Sequence, residues 1–570
     1  MKKMKKIILS AGILLAAAAL AGAQNMYDAI YFSQNNYFGT ARSMALGNAV
    51  TALGGDLGSV GINPAGSAVA PYGQFVITPG LTISSVSSSY SPEGEDAFGL
   101  SNKLTNSRIN MPNIGASFNF DTGNRYGLKM VTVAFLSNQT NNYNYSAEGF
   151  GRNGTSSKIA EFADAARGYF SNELDSYDSY YSTDIPWDLL AAYQGGMYGT
   201  YDGVDGRFVG VTETTAGDYH YLSGDLAQTS YRTKRGSKND VIMNVGLNFS
   251  DQFYFGFNLG LPAARYRYSE SFYESAVNPE QFMIPFEDGG TPSFLRGSYN
   301  YQYMADIAGV YAKVGFIYRP VKGLRLGASF QTPTAYTISE SWRYSAATSF
   351  SSPVYDDSAS SPEGEYSYNL RSPYLASFGA AFTFGKSGFI SVDYEVADYS
   401  VMRFSNVHER RMREDSFQAQ NMTNKYFAGL SHSLRLGFEM RVTPELALRA
   451  GYSMTTSPER WWTDNDGYTV TADDFSRNYE SYLGRVKYLM TEHYYGDKTE
   501  TFSAGIGYSS PGSFFMDAAV RQTRYPVTSF SPYYDYVACD NMGNERAIQA
   551  PRVESTYDLW NVALTLGWRF

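Results

Sequence analysis

The last eleven residues of the chain permit few folds. Trp560, Val562, Leu564, Leu566, Trp568 and Phe570 fall on one side of a period-two pattern, and Asn561, Ala563, Thr565, Gly567 and Arg569 on the other. A period of two belongs to a β-strand, whose side chains leave alternate faces. An apolar face with tryptophan near each end suits a strand crossing a bilayer, with an aromatic ring at each interface. The alternation recurs upstream. Leu434, Leu436, Phe438 and Met440 oppose Ser433, Arg435, Gly437, Glu439 and Arg441; Val310, Ala312, Val314, Phe316 and Tyr318 oppose Tyr311, Lys313, Gly315 and Arg319. Phe253, Phe255, Phe257 and Leu259 oppose Gly256, Asn258 and Gly260, and Phe502, Ala504, Ile506 and Tyr508 oppose Thr501, Ser503, Gly505 and Gly507. A cation facing lipid at mid-membrane costs about 2–4 kcal/mol, so the charged residues of these segments are expected to face a lumen.

Composition removes the alternatives. The chain has 49 Tyr, 36 Phe and only 18% charged residues, too aromatic and too weakly charged for a disordered protein. After residue 23 it contains no apolar run of the ~20 residues that a membrane helix requires. The expectation is an all-β fold, a transmembrane antiparallel β-barrel.

The N-terminus gives an address. Lys2, Lys3, Lys5 and Lys6 precede an apolar run from Ile7 to Leu20 and a small-residue site, Ala21-Gly22-Ala23. This reads as a secretory signal peptide, residues 1–23, cut before Gln24. No cysteine follows that site, so a lipoprotein anchor is not expected. Losing those lysines takes the formal charge from −10 to −14, which argues against nucleic acid as a partner. With the barrel pattern, the leader points to a Gram-negative-type outer membrane, reached through the barrel assembly machinery.

Turn signals lie near 121–125, 250–252, 319–323, 385–388, 443–445 and 510–513. Between them run long polar, aromatic-rich connections near 90–106, 146–238, 269–299, 346–367, 411–427, 457–497 and 536–552, with 146–238 the longest. Six short turns alternating with seven long loops predict about 14 strands, with both ends on the short-turn, periplasmic side. Residues 24–71 are small and Gly-rich and suit an N-terminal hatch inside the lumen; residues 72–570 form the barrel.

Residues 39–69, GTARSMALGNAVTALGGDLGSVGINPAGSAV, resemble the hatch of the FadL family of outer-membrane long-chain fatty-acid transporters, a Gly/Ala-rich stretch ending in Asn-Pro-Ala, here Asn63, Pro64 and Ala65. The segments 324–339, 372–382, 392–400 and 434–453 also resemble that family, and the chain looks like a Bacteroidetes-type member. The resemblance implies a fourteen-strand barrel plugged by its hatch. It further implies passive, hatch-gated passage of hydrophobic small molecules, with long-chain fatty acids expected, from extracellular loops through an inner pocket to a lateral exit. Relatives carry aromatic hydrocarbons, and some are labelled haemin receptors. The alternative function is a docking barrel whose long Tyr-rich loops bind a protein partner. A water-filled porin ranks below both, because the hatch would block its lumen.

Candidate residues follow. Asn63-Pro64-Ala65 would form a rigid turn anchoring the hatch, and Arg42 would pair with a lumen acid such as Glu439 or Asp393. Tyr27, Ile30, Tyr31 and Phe32 would line the inner pocket or fill a plug core. In the longest loop, Phe162, Trp187, Leu190 and Tyr193 would offer apolar groups for capture, or pack on neighbouring loops. Trp568 and Phe570 carry a terminal aromatic signal for membrane assembly. The charge run 408–415 (HERRMRED) reads as a solvated rim or a lipopolysaccharide contact.

Chemistry is otherwise sparse. Cys539 is the only cysteine, so no intramolecular disulfide or Cys-rich metal site can form. His220, His408, His432 and His493 lie far apart, and His493 beside Tyr494 and Tyr495 is weak evidence for a haem ligand. No metal or other cofactor is expected. There is no GxSxG, HExxH or paired His–acid motif, so no enzyme is expected and no catalytic residue is named. The expected partners are a hydrophobic small-molecule ligand and the surrounding lipid, with the barrel a monomer.

Overall fold

The computed structural model describes residues 25–92, 99, 101–201, 203–216, 219–407, 417–463, 467–488, 490–539 and 545–570. The expected signal peptide and the 408–415 charge run lie outside the described residues.

Fourteen wall strands alternate in direction: β1 (Gln74–Ser91), β2 (Asn102–Asp121), β3 (Leu128–Asn142), β4 (Leu226–Phe249), β5 (Phe253–Ala276), β6 (Phe294–Val321), β7 (Leu324–Gln331, resumed as Ala335–Phe350), β8 (Gly364–Arg371, resumed as Leu375–Thr383), β9 (Gly388–Asp398), β10 (Leu430–Arg441), β11 (Leu446–Thr456), β12 (Lys498–Ser509), β13 (Phe514–Arg524) and β14 (Arg552–Arg569). Each pairs antiparallel with the next, and β14 closes on β1 from the Gln74–Arg569 pair to the Ser91–Arg552 pair. Closure leaves no free edge along the seam, as a wall in lipid requires, because unpaired backbone groups there find no water. The architecture is that of an outer-membrane barrel. No helix among the described residues is long and apolar enough to cross a membrane.

Alternation sets which face meets lipid. Val562, Leu436 and Phe316 are 42%, 39% and 43% exposed, whereas Arg435 and Glu439, one residue out of phase with their neighbours, are buried in the lumen. On β5 the outward residues are apolar from Phe253 to Ala263. At ~3.4 Å per residue and a tilt near 45°, that run spans about 25 Å of bilayer.

The short connections fall where the turn signals predict. At one of them, Gln252 N–H donates to the Phe249 carbonyl at 3.1 Å. Ser250 and Asp251 both take positive φ there, 57° and 56°, the two-residue turn whose twist matches a hairpin. The first four long connections are shorter than expected, 457–497 is as expected, and 399–429 and 525–551 are longer than the 411–427 and 536–552 expected. The 146–238 loop reduces to 154–225, because β3 resumes as Tyr145–Asn153 and β4 already begins at Leu226. Past the bilayer both strand faces become polar, so the alternation fades although the ladder continues.

Loop helices α4 (Lys158–Ala165), α5 (Ser171–Asp175), α6 (Ser179–Ser182) and α7 (Trp187–Gln194) pack over the outer end. Their apolar faces form one core with Phe282, Phe294 and Phe350 from the wall and an adjacent loop. Glu274 of β5 accepts from the Lys158 N–H at 2.9 Å and the Ser157 hydroxyl at 2.9 Å, fastening the start of α4 to the wall.

Candidate functional site: a cavity over the N-terminal segment

Residues 25–71 run inside the lumen as short helices, α1 (Met26–Ser33), α2 (Ala41–Ala45) and α3 (Leu57–Val60), then a 3₁₀ turn, Pro64–Val69. Asn25 and Thr40 cap the first two, each side chain accepting a backbone N–H three residues on. Short helices leave many carbonyls without partners, and the wall supplies donors. Lys313 Nζ reaches the Gly61 carbonyl at 2.7 Å, Asn258 Nδ2 reaches Val60 at 2.8 Å, and Arg521 reaches Tyr37 at 2.6 Å. Lys238, fully buried, donates to Phe32 and Gln34 at 3.0 and 2.6 Å.

The backbone comes so close because the facing wall carries no side chains at that level. Gly246, Gly256 and Gly315 are direct cross-strand partners on β4, β5 and β6. A Cβ on Gly256 would lie 2.2 Å from the Pro64 carbonyl carbon, and one on Gly315 would lie 2.1 Å from Asn63 Oδ1. Gly437 and Gly451 pair across β10 and β11, and a Cβ on Gly451 would meet Gly47 N at 2.1 Å.

Asn63 is fully buried. Its Nδ2 donates to the Thr51 carbonyl at 2.7 Å and the Phe316 carbonyl at 3.1 Å, and its Oδ1 accepts from Ala65 N–H at 3.1 Å. Pro64 opens the 3₁₀ turn, where its missing N–H costs nothing. Arg42 Nε lies 3.2 Å from Glu439 Oε2, and Arg449 reaches the same oxygen at 2.7 Å while also pairing with Asp517. Asp393, the other acid weighed for Arg42, instead accepts the Thr51 N–H at 2.7 Å.

Above this segment lies a cavity of about 970 Å³, near the upper end of ordinary ligand pockets. Its floor includes Tyr27, Ile30 and Tyr31; its walls include Tyr143, Tyr145, Tyr266, Tyr303, Ala397, Tyr399 and Tyr557, interleaved with Asn36, Asn141, Asn142 and Asn144. The lining is therefore amphipathic. Its charged residues are Asp28, Arg232, Lys234, Glu395, Glu459, Asp473 and Asp497; Lys234 Nζ lies 5.1 Å over the Tyr31 ring and 5.7 Å over Tyr145, within electrostatic range of Asp28. Cavity-lining Glu395 is paired with Arg435 at 2.6 Å. Tyr143 Oη and Asn144 Oδ1 are buried without a hydrogen-bond partner among the described residues.

The barrel wall parts beside the cavity, next to the lining residues Asn141 to Tyr145. Pairing of β2 with β3 runs from Asp121–Met130 to Asn113–Asn138 and stops. Beyond it β3 shifts register between Gln139 and Asn141, and its continuation stays on β4. The outer half of β2 is left with only side-chain bridges to strand three: Asn110 to Gln139 at 2.6 Å, Asn106 to Ser146 at 3.0 Å, and Asn102 to Glu148. Ile109 on this half of β2 is 87% exposed.

The sequence-predicted residues distribute unevenly. Tyr27, Ile30 and Tyr31 line the cavity, while Phe32 is buried in an aromatic cluster with Tyr143 and Tyr266 at 6.4 and 5.6 Å. Phe162 and Leu190 are buried inside the loop core, so they offer no open capture surface; Trp187 and Tyr193 pack against it partly exposed. Trp568 packs on Phe75 at 6.3 Å and Phe570 on Phe118 at 5.8 Å, at the periplasmic rim. His493 stacks on Trp461 at 4.2 Å and shares a 2.9 Å hydrogen bond with Thr463. The described residues contain no metal-binding cluster of acids, histidines and cysteine. Sequence reading missed Lys234, the wall tyrosines and the Asn run 138–144, although the density of Tyr and Asn around 138–145 was its available signal.

No family model matches the chain, and no curated protein does. Among solved structures it is similar to a FadL homologue of Pseudomonas aeruginosa, with a TM-score of 0.46 and 11% identity over 93% of this chain and 98% of that one. It is also similar to the toluene transporter TodX of P. putida, with a TM-score of 0.43 and 11% identity over 93% and 98%. The toluene transporter TbuX of Ralstonia pickettii gives 0.41 and 12% over 94% and 99%. The chain is thus similar, over nearly its whole length, to solved barrels named as a FadL homologue and as toluene transporters.

Proposed function

We propose that the chain is an outer-membrane channel for hydrophobic small molecules, and that it acts in transport and not in catalysis. Ligand enters the cavity from the outer side and leaves sideways into the membrane where β2 and β3 part. The observation that carries this reading is the position of the cavity. The N-terminal segment fills the lumen beneath it, and Asn141 to Tyr145, which line it on the strand-three side, follow directly after the point where β2–β3 pairing ends at Asn113–Asn138.

The finer reading is an amphiphile with one anionic end, of which a long-chain fatty acid is the example. Tyrosine faces cover an alkyl chain, whereas the Lys234 ammonium suits a carboxylate. Binding of a radiolabelled long-chain fatty acid to the detergent-purified mature barrel should saturate near one site and weaken about tenfold in Lys234→Gln. Toluene should compete poorly, since it uses only the aromatic faces. A Lys234→Gln barrel that binds as wild type refutes the carboxylate site. For the exit, cysteines at Asn106 and Ser146 in a Cys539→Ser background, bridged by a short reducible reagent, should stop uptake by cells until reductant is added. Unchanged uptake in the bridged protein refutes lateral release.

A further inference from the structure

On the outer surface, four residues past the apolar run of β5, the wall carries an arginine cleft that the transport reading does not use. Arg235 of β4 and Arg267 of β5 are direct cross-strand partners and both are exposed. Like charges opposed across a ladder repel, and neither arginine has an ion-pair partner among the described residues. One row nearer the bilayer the wall treats the same residue type differently: Arg265 is neutralised by Asp306 through two hydrogen bonds, at 2.6 and 3.2 Å. Arg235 and Arg267 line a cleft of about 450 Å³ with Gln302, Ser341, Arg343 and Glu363. Arg343 and Glu363 are 3.5 Å apart and both about half exposed, so that pair removes one charge and the cleft stays cationic. Arg108, on the free half of β2, lies within electrostatic range of Arg235 across the parted wall.

Height fixes the chemistry. Arg267 lies six residues beyond Leu261, roughly 20 Å along a tilted strand, on the long-loop side. That is the headgroup level of the outer leaflet, where an anion would be covalently attached to acyl chains lying against Leu259, Leu261 and Val241 below. We propose that this cleft binds the phosphate groups of an outer-leaflet phosphorylated glycolipid of the lipid A kind, with Arg235 and Arg267 sharing one phosphate and Arg343 contacting a second polar group. A guanidinium pair forks onto phosphate oxygens, which turns the repulsion between Arg235 and Arg267 into the reason for binding. A lipid so held also sits beside the mouth of the wall opening.

The test uses the full mature barrel in detergent, followed by its heat-modifiable gel migration. A diphosphorylated glycolipid should raise the transition temperature saturably. In Arg235→Gln/Arg267→Gln the concentration needed should rise at least tenfold, while Arg265→Gln/Asp306→Asn, outside the cleft, should respond as wild type. The dephosphorylated glycolipid, phosphatidylglycerol and inorganic phosphate should have little effect at the same concentration. An equal response to phosphatidylglycerol would mean a general anionic annulus, and an equal response to inorganic phosphate a free-anion site; either overturns the proposal, as does a double variant that responds like wild type. If the double variant fails to fold, Arg343→Gln alone should still require more glycolipid, and an unchanged response there counts equally against the site.

Discussion

Replacing Asn63 by Asp tests how the N-terminal segment is held. The change is isosteric, but it exchanges an amide that donates to two carbonyls, Thr51 at 2.7 Å and Phe316 at 3.1 Å, for an oxygen facing both. The bond accepted from Ala65 N–H is kept. Two buried hydrogen bonds lost, each leaving an acceptor unmet, cost ~1–3 kcal/mol apiece, so about 4 kcal/mol is expected before any charge is considered. The wall ladder does not depend on Asn63, so the barrel should keep its heat-modifiable migration. The loss should therefore fall on docking of the segment and raise its undocked population by roughly 700-fold, at 1.4 kcal/mol per decade. Hydrogen exchange of the amides from Leu57 to Val69 reports this directly. Gly315→Ala should reproduce it, since its Cβ would sit 2.1 Å from Asn63 Oδ1. Protection of that stretch equal to wild type in the Asp variant would refute the account of Asn63 as the anchor.

Two further outcomes follow from charges on either side of the membrane plane. Glu439→Gln should lower resistance to urea by about 3 kcal/mol, because Arg42 loses its carboxylate, whereas Arg42→Met should cost less, since Glu439 keeps Arg449. In the outer loops, burial raises the carboxyls of Glu161 and Glu213 to about 7 each. A carboxyl raised on folding favours the folded form while protonated, and that advantage is lost as pH rises from about 4.5 through 7. Proteolysis within 154–225 should therefore be faster at pH 8 than at pH 5.5, and Glu213→Gln should flatten the profile.

The wall was legible because a bilayer enforces alternation residue by residue: Leu434 to Met440 and Trp560 to Phe570 leave one reading only. The number of strands was legible because short turns need particular residues, as Ser250-Asp251 shows. Strand length was not, since outside lipid the ladder of β4 at 226–238 is paired without any apolar rhythm. The interior site was half legible. Asn63 and Arg42 stood out in the N-terminal segment, and Gly256 and Gly315 read as lumen-facing. What brings them together is register between strands far apart in sequence, which a single strand's pattern does not encode. Phe162 and Leu190 read as apolar helix faces, but whether such faces meet ligand or one another depends on the neighbouring loop, here Phe282 and Phe294.

The glycine level of the wall also bears on the order of events during insertion. A segment that hydrogen-bonds to β4, β5, β6, β7, β9, β10, β12, β13 and β14 within a closed ring has no sideways route in once the ring is sealed. Its only covalent tie is to β1, one side of the seam, and the other side, β14, is the last strand made. The N-terminal segment therefore has to lie inside the curling sheet before the ring is sealed, with Pro64 and Asn63 set against β4 and β6. At the seam, the Phe570 backbone exchanges both hydrogen bonds with Gly73 at 3.0 Å, so the residue that leads out of the enclosed segment and the end of the last strand are fastened to each other.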